Sequence, residues 1–353
     1  MNAPLRHSTR IRAIDLSDPN ETSRIEGFVR DNGGSLFQRP LWLQAVERGT
    51  GQAATGLVAE KLGTVTGWLP LSSVQSPLFG RALVSSGFGV GGGVLAVGPD
   101  TGEALCRAVQ EYAVRTSHAS IELRGGAIPA DWDSWDDRHA NFAADLADDE
   151  EAQLLWVPRK QRADIRKSLD TDLTVTTGSD EPHRAAHYAI YAASVHNLGT
   201  PVFPRSLFDA MLDAFGDNAD ILTVHHAGEP IASVLSFYHR ETVMPFWGGG
   251  VFAARALKAN ERMYYELMLH ARRRGMTRFD FGRSKTGSGP FKYKKNWGFE
   301  PEALTYGLWS APGSEPRDLD PTDASYAAKI ALWKKLPLRV ANLIGPHIAR
   351  GLA

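Results

Sequence analysis

Ile221-Leu222-Thr223-Val224-His225-His226-Ala227-Gly228-Glu229-Pro230-Ile231-Ala232-Ser233-Val234-Leu235-Ser236-Phe237-Tyr238 reads as two strands joined by a tight turn. β-Branched and aromatic residues fill Ile221–His226 and Ile231–Tyr238, and Ala227-Gly228-Glu229-Pro230 carries hairpin chemistry between them. Val243–Gly249 follows as a third strand. A helix over Asn260–Arg274 comes next, and Gly275 stands where a left-handed residue ends it. Upstream lie a helix at Val157–Leu169, a strand at Leu173–Thr177 and helices near Glu181–Asn197 and Ser206–Phe215. Downstream, a strand at Arg278–Phe281, a helical turn near Phe291–Trp297 and a strand at Leu304–Trp309 complete the order β-α-α-β-β-β-α-β-α-β.

The first half repeats a shorter version. Thr55–Glu60 and Val65–Val74 have strand content and lead to Arg81–Ser85; a helix over Thr101–Ser117 and a strand at Ala119–Leu123 follow. Gly87–Gly98 is rich in glycine, but the G-x-G-x-x-G spacing ahead of a helix is absent, which favours a plain loop over a phosphate cradle. The halves meet at Asp131–Glu151, where nine acidic residues face only Arg138; its composition reads as loop or linker. The 353 residues thus divide into 1–150, 151–312 and a tail at 313–353.

Charge is balanced overall, at a net −1, which argues against a protein that coats nucleic acid non-specifically. Locally it is not. Between Arg272 and Gly298 nine basic residues face only Asp280, and Arg159, Lys160, Arg162, Arg166 and Lys167 form a second cluster around Asp164. Such clusters concentrate potential where an anionic ligand docks, or serve as solvated helix faces. The lone Cys106 rules out an internal disulfide framework and a Cys-built metal site. His183 and His187 have the spacing of a metal pair but lack the intervening Glu and a third ligand, and His225-His226 point to opposite faces of a strand. No metal and no redox cofactor is expected. Met1–Arg12 lacks the apolar core of a secretion signal and no stretch reaches the roughly 18 apolar residues of a membrane span. The expectation is a soluble cytoplasmic protein.

A three-strand meander followed by a long helix and another strand resembles the GNAT acyltransferase fold. Phe279-Asp280-Phe281-Gly282-Arg283-Ser284, followed by Tyr293-Lys294-Lys295-Asn296-Trp297-Gly298-Phe299, resembles the signature of the FemAB family of double-GNAT aminoacyl and peptidyl transferases. His196-Asn197-Leu198-Gly199-Thr200-Pro201 and Leu332-Trp333-Lys334-Lys335-Leu336-Pro337-Leu338 are similar to its subfamily associated with exosortase (PEP-CTERM) and exopolysaccharide gene clusters. The resemblance covers about Ser35–Gly351. It implies an α/β (α+β) fold class with two tandem GNAT-like acyltransferase domains and a helical C-terminal tail. Asp280-Phe281-Gly282 also spells a kinase magnesium motif, but no H-R-D loop or glycine-rich ATP loop accompanies it.

In ordinary GNAT enzymes a glycine-rich loop at the start of the long helix lets backbone N–H groups approach the pyrophosphate of acyl-CoA. Arg255-Ala256-Leu257-Lys258-Ala259-Asn260-Glu261-Arg262-Met263 contains no glycine, which disfavours CoA. FemAB-type enzymes lack that loop too and take aminoacyl-tRNA. The resemblance therefore implies aminoacyl transfer from tRNA to an amine on a cell-envelope precursor. It places Lys294 as the catalytic cation, stabilising the oxyanion or a donor phosphate. Arg283 and Lys285 in the Gly282–Gly289 loop are candidates for anion contact, with Lys295 in support. His196, Thr200 and Arg205 flank a helix–helix loop that faces the cleft in GNAT topology, Arg205 for an acidic or phosphate-bearing acceptor. Family members acting on cell-wall precursor carry a Lys after the tryptophan of their first domain; Gln38-Arg39-Pro40-Leu41-Trp42-Leu43-Gln44 has none nearby. Two alternatives stay open: an acyl-CoA- or acyl-carrier-dependent N-acyltransferase acting on an exopolysaccharide amino sugar, and a non-catalytic scaffold in envelope assembly. No DNA partner is expected. The tail from Ser325 mixes apolar and basic residues, so it either packs on the first domain or rests on the inner-membrane face.

Overall fold

A computed structural model describes residues 9–76, 80–314 and 324–352, with the backbone alone over 324–329. Residues 315–323 of the expected tail lie outside the described residues. The chain forms two compact units: the first runs to Asp136 and resumes at Leu304, while the second takes Asp137–Ala303 and the tail helices as far as Ala349.

The first unit is built from β1 (Arg10–Ala13), α1 (Pro19–Asp31), α2 (Pro40–Thr50), β2 (Ala53–Lys61), β3 (Thr64–Ser76), β4 (Gly80–Val84), β5 (Leu95–Ala96), α3 (Pro99–Arg115), β6 (Ser120–Arg124) and β7 (Asp133–Trp135). Helix α1 starts where Asp18 accepts a hydrogen bond from the Asn20 N–H and Pro19 takes the first helical position. The sheet runs β1-β2-β3-β4-β6, then Tyr306–Ser310, then β7. Strands β4 and β6 are parallel, pairing Leu83 with Ile121, as a crossover through α3 requires. Leu69, Leu83, Leu105, Val109 and Ile121 close the core beneath α3.

The second unit holds β8 (His139–Asp145), α4 (Glu150–Trp156), α5 (Arg159–Leu169), β9 (Leu173–Gly178), α6 (Glu181–Leu198), α7 (Arg205–Phe215), β10 (Ala219–His226), β11 (Glu229–His239), β12 (Thr242–Gly250), α8 (Ala259–Arg273), β13 (Arg278–Asp280), β14 (Ser284–Lys285), α9 (Gly289–Asn296), β15 (Pro301–Ala303), α10 (Ala324–Lys335) and α11 (Leu338–Ala349). Strand order is β14-β8-β13-β12-β11-β10-β9, antiparallel except for the parallel pair β12 and β13. The expected hairpin is present: Ala227 (φ 51°) and Gly228 (φ 81°) form its two-residue loop between the paired His226 and Glu229. Helix α8 ends as its sequence predicts. Gly275 sits at φ 81°, its N–H bonding the Arg272 carbonyl while the Met276 N–H bonds that of Ala271.

Three expectations are corrected. The acidic stretch is not simply a linker, because its acids cluster at both ends and leave Ala140 and Phe142 to bury one face of β8. Strand Tyr306–Ser310 does not complete the second half; it pairs antiparallel with β6 and with β7 in the first unit, while β8 supplies the second unit's strand beside β13. The helix expected over Val157–Leu169 begins after Pro158, with α4 as a separate helix before it.

Candidate active site

Both units carry a parallel strand pair at which a cleft would open, and they treat it differently. In the first unit the glycine-rich loop closes the end of the pair. The N–H groups of Gly92 and Gly93 both bond the Arg124 carbonyl, and the Arg124 N–H bonds Ser85 Oγ. Trp42 Nε1 donates to the Gly87 carbonyl, Gln38 Nε2 to that of Gly93, and Ser35 Oγ to that of Gly91. Gly93 is required there, since a Cβ would stand 1.7 Å from the Gly125 carbonyl oxygen. The loop is thus a structural plug, with its amides turned onto the protein.

In the second unit the pair opens. Strands β12 and β13 register only through Thr242 with Arg278 and Val243 with Phe279; the Phe281 N–H then turns to the Phe142 carbonyl on β8. Strand β12 continues to Gly250 with β11 as its partner and without β13. It bulges where Leu235 faces Trp247 but Ser236 faces Pro245, leaving Phe246 as the extra residue. Aromatic rings pack behind this opening. Tyr264 of α8 meets Phe281 at 4.6 Å, Tyr293 at 6.1 Å and Trp297 at 6.1 Å.

Lys294 lies under the turn that follows β13. It is only 8% exposed; its Nζ donates to the carbonyls of Gly282 (2.8 Å) and Arg283 (3.1 Å) and sits over the rings of Phe281 and Phe142. Burial pulls its pKa down to about 7, with Arg283 lowering it further and Asp280 opposing both. Asp280 Oδ1 accepts from the Gly282 N–H, and Gly282 takes φ 77°. Burial raises the Asp280 pKa, opposed by that N–H, by Asn141 and by Lys294. Lys294 therefore holds the Gly282–Arg283 turn by its carbonyls; its third position is a donor when the amine is protonated and a lone pair when it is neutral. Arg283 and Lys285 sit half-buried in the same turn, whereas Lys295 points to solvent on the next helical position.

The remaining expected residues are dispersed. Arg205, at the start of α7, bonds both carboxylate oxygens of Glu181 at 2.5 and 2.7 Å and approaches Asp209 at 3.5 Å. His196 and Thr200 lie at the other end of α6, about 22 Å along its axis from Glu181. There Gly199 (φ 85°) ends the helix, and a Cβ at that position would run into Ile330 and Lys334 of α10. His183 bonds Asp180, and His187 is buried against Ser233 Oγ at 3.0 Å, burial lowering its pKa to about 3. Among the described residues no group of three His, Cys, Asp or Glu side chains is placed to hold a metal ion.

The start of α8 was legible only in part. Lys258 adopts the left-handed conformation (φ 56°) and its Nζ pairs with Asp164 of α5 at 3.0 Å. Glu261 follows in the first turn, its pKa raised mainly by burial. Helix α5 turns Arg159, Lys160, Arg166 and Lys167 outward along one face, while Ile165 and Ser168 are buried. Part of the basic stretch from Arg272 is spent within the unit. Arg278 pairs with Asp145 at 3.0 Å across β13 and β8, Arg274 with Asp220 at 2.8 Å, and Arg272 donates to the Asp148 carbonyl. Missed by sequence reading were Asn141, Glu261, Tyr264 and the Asp280 carboxyl; the signal for Asn141 was its place between the alternating Ala140 and Phe142.

Residues 159–295 match the family model described as an acetyltransferase (GNAT) domain. Among the solved structures that match, three share the fold over most of the chain. FemX is 14% identical with a TM-score of 0.61, covering 84% of this chain and 96% of its own. A tandem GNAT protein from the clavulanic acid biosynthesis pathway is 11% identical with a TM-score of 0.57, covering 87% and 100%. The C-terminal domain of a protein described as lysylphosphatidylglycerol synthetase, from Agrobacterium fabrum, is 12% identical with a TM-score of 0.56, covering 91% and 96%. No curated protein matches the chain.

Proposed function

We propose that the second unit transfers an aminoacyl group from aminoacyl-tRNA to an amine on a cell-envelope precursor, of peptidoglycan or of an exopolysaccharide. The observation that carries this reading is the start of α8. Its turn has no glycine, Lys258 is tied to Asp164, and the Glu261 carboxyl stands in the first turn, so a pyrophosphate would meet side chains and negative charge. The neighbouring α5 instead presents four cations on one outer face, which suits the backbone of a large anionic donor. The envelope acceptor follows the FemAB and exosortase-associated motifs. It is supported by the fold shared with a domain whose name denotes an aminoacylated phospholipid.

In the transfer the acceptor nitrogen attacks the ester carbonyl, a C–N bond forms and the C–O bond to the ribose breaks. The amine proton passes through substrate or water to the departing ribose oxygen, which leaves as a hydroxyl. The chain's contribution is placement and charge. Lys294 fixes the turn that carries Arg283 and Lys285, and those two cations face the donor's phosphates. Arg205, held by Glu181, and His196 and Thr200, at the far end of α6, serve as outer contacts for the acceptor. A second reading, acyl-CoA-dependent N-acylation of an amino sugar, is favoured by one feature: Lys258 keeps the left-handed backbone that a phosphate-binding turn uses.

The test is binding of a charged tRNA pool across a salt series, with Arg166→Glu/Lys167→Glu beside the parent. Loss of two phosphate contacts is expected to flatten the slope of log K against log salt by about 1.4 to 1.8. An unchanged slope would remove α5 from the donor site.

A further inference from the structure

We propose that α11 docks the protein on an anionic phospholipid surface. The inference goes beyond the transfer reaction and does not depend on its donor. Helix α11 has its amphipathicity turned outward. Ala341, Gly345 and Ala349, at successive four-residue steps, face the protein and are buried, Gly345 close against Val202. The large apolar residues face away: Leu343 is 73% exposed, Val340 43% and Ile344 38%. Their i, i+3, i+4 spacing places them on one face. A helix that packs through its small residues and gives its large apolar ones to solvent has a surface that calls for an apolar partner.

Charge selects the partner. From Ser325 to Ala353 the chain carries Lys329, Lys334, Lys335, Arg339 and Arg350 and no acidic residue, although acidic residues outnumber basic ones by one in the whole protein. Lys334 and Lys335 close α10 immediately before the apolar face, Leu332 beside them is 66% exposed, and Arg339 opens α11. Apolar residues on one helical face flanked only by cations match the interface of a bilayer with anionic headgroups. At 12 residues α11 is too short to span one, and no helix among the described residues is long and apolar enough to cross a membrane. It lies on the surface.

The test is flotation of the full chain with vesicles of phosphatidylcholine alone and of phosphatidylcholine mixed with phosphatidylglycerol. Binding is expected to the mixed vesicles only, and to weaken with salt. Lys334→Glu/Lys335→Glu should lower partitioning about thirtyfold or more. Val340→Ser/Leu343→Ser/Ile344→Ser should lower it on the order of a hundredfold. These side chains are exposed, so circular dichroism melts of both variants should overlay the parent. Absence of binding to mixed vesicles, equal binding to phosphatidylcholine alone, or full binding by folded variants would each overturn the proposal. So would a lipid-free dimer that the triple serine variant abolishes, because the face would then belong to a second copy. Transfer from charged tRNA to a soluble amine reads the reaction separately.

Discussion

Lys294 should make the protein more stable as pH rises from 7 to 9. Its ammonium has a pKa of about 7 in the folded chain against an ordinary lysine value of 10.5. Between these values the unfolded chain holds a proton that the folded chain has released, so unfolding takes up a proton and stability climbs with pH. Below pH 7 the folded state must bury a charge, which destabilises it by about 5 kcal/mol relative to a lysine that keeps its ordinary pKa. From pH 7 to 9 the folded protein should gain about 2 kcal/mol from this group alone. Other groups titrate in the same range; burial raises the Cys106 thiol to about 11, which works in the opposite sense. Lys294→Met isolates the effect, because it keeps the chain length and removes the titration. Urea unfolding of parent and variant at pH 7, 8 and 9 measures it. The difference in unfolding free energy, parent minus variant, should rise by about 2 kcal/mol across the series. A pH-independent difference would falsify the placement of Lys294 in a desolvated site.

Three further substitutions check the fold around the site. Gly93→Ala drives a Cβ into the Gly125 carbonyl and should cost about 3 kcal/mol in urea unfolding, with the plug of the first unit displaced. Trp297→Ala empties a fully buried position behind the cleft and should cost about 3–5 kcal/mol. Lys258→Gly relieves a left-handed residue by about 1 kcal/mol and loses a part-exposed ion pair worth about the same or less, so its urea midpoint should stay close to the parent's.

The meander, the long helix and its glycine stop were readable from Ile221 to Gly275 because each rests on local chemistry: alternation, turn residues and a left-handed cap. The partner of Tyr306–Ser310 was not readable. Pairing that strand with β6 joins residues nearly two hundred positions apart, and no local pattern distinguishes that register from one in the second half. The sign reversal between the acidic and basic stretches was visible. That Asp145 and Arg278 face each other across adjacent strands was not, so part of the basic stretch is internal pairing, not free potential. At the site, the motif located Lys294 and the turn it holds. Its burial depends on Phe142, brought in by a strand hidden among acids.

The donor is the central claim, and calorimetric titration of the purified full chain with CoA and with a charged tRNA pool tests it most directly. The account predicts saturable, salt-sensitive binding of charged tRNA and no heat from CoA. Micromolar binding of CoA with no response to charged tRNA would contradict it, and would show that the turn before α8 accepts a pyrophosphate in spite of Lys258 and Glu261.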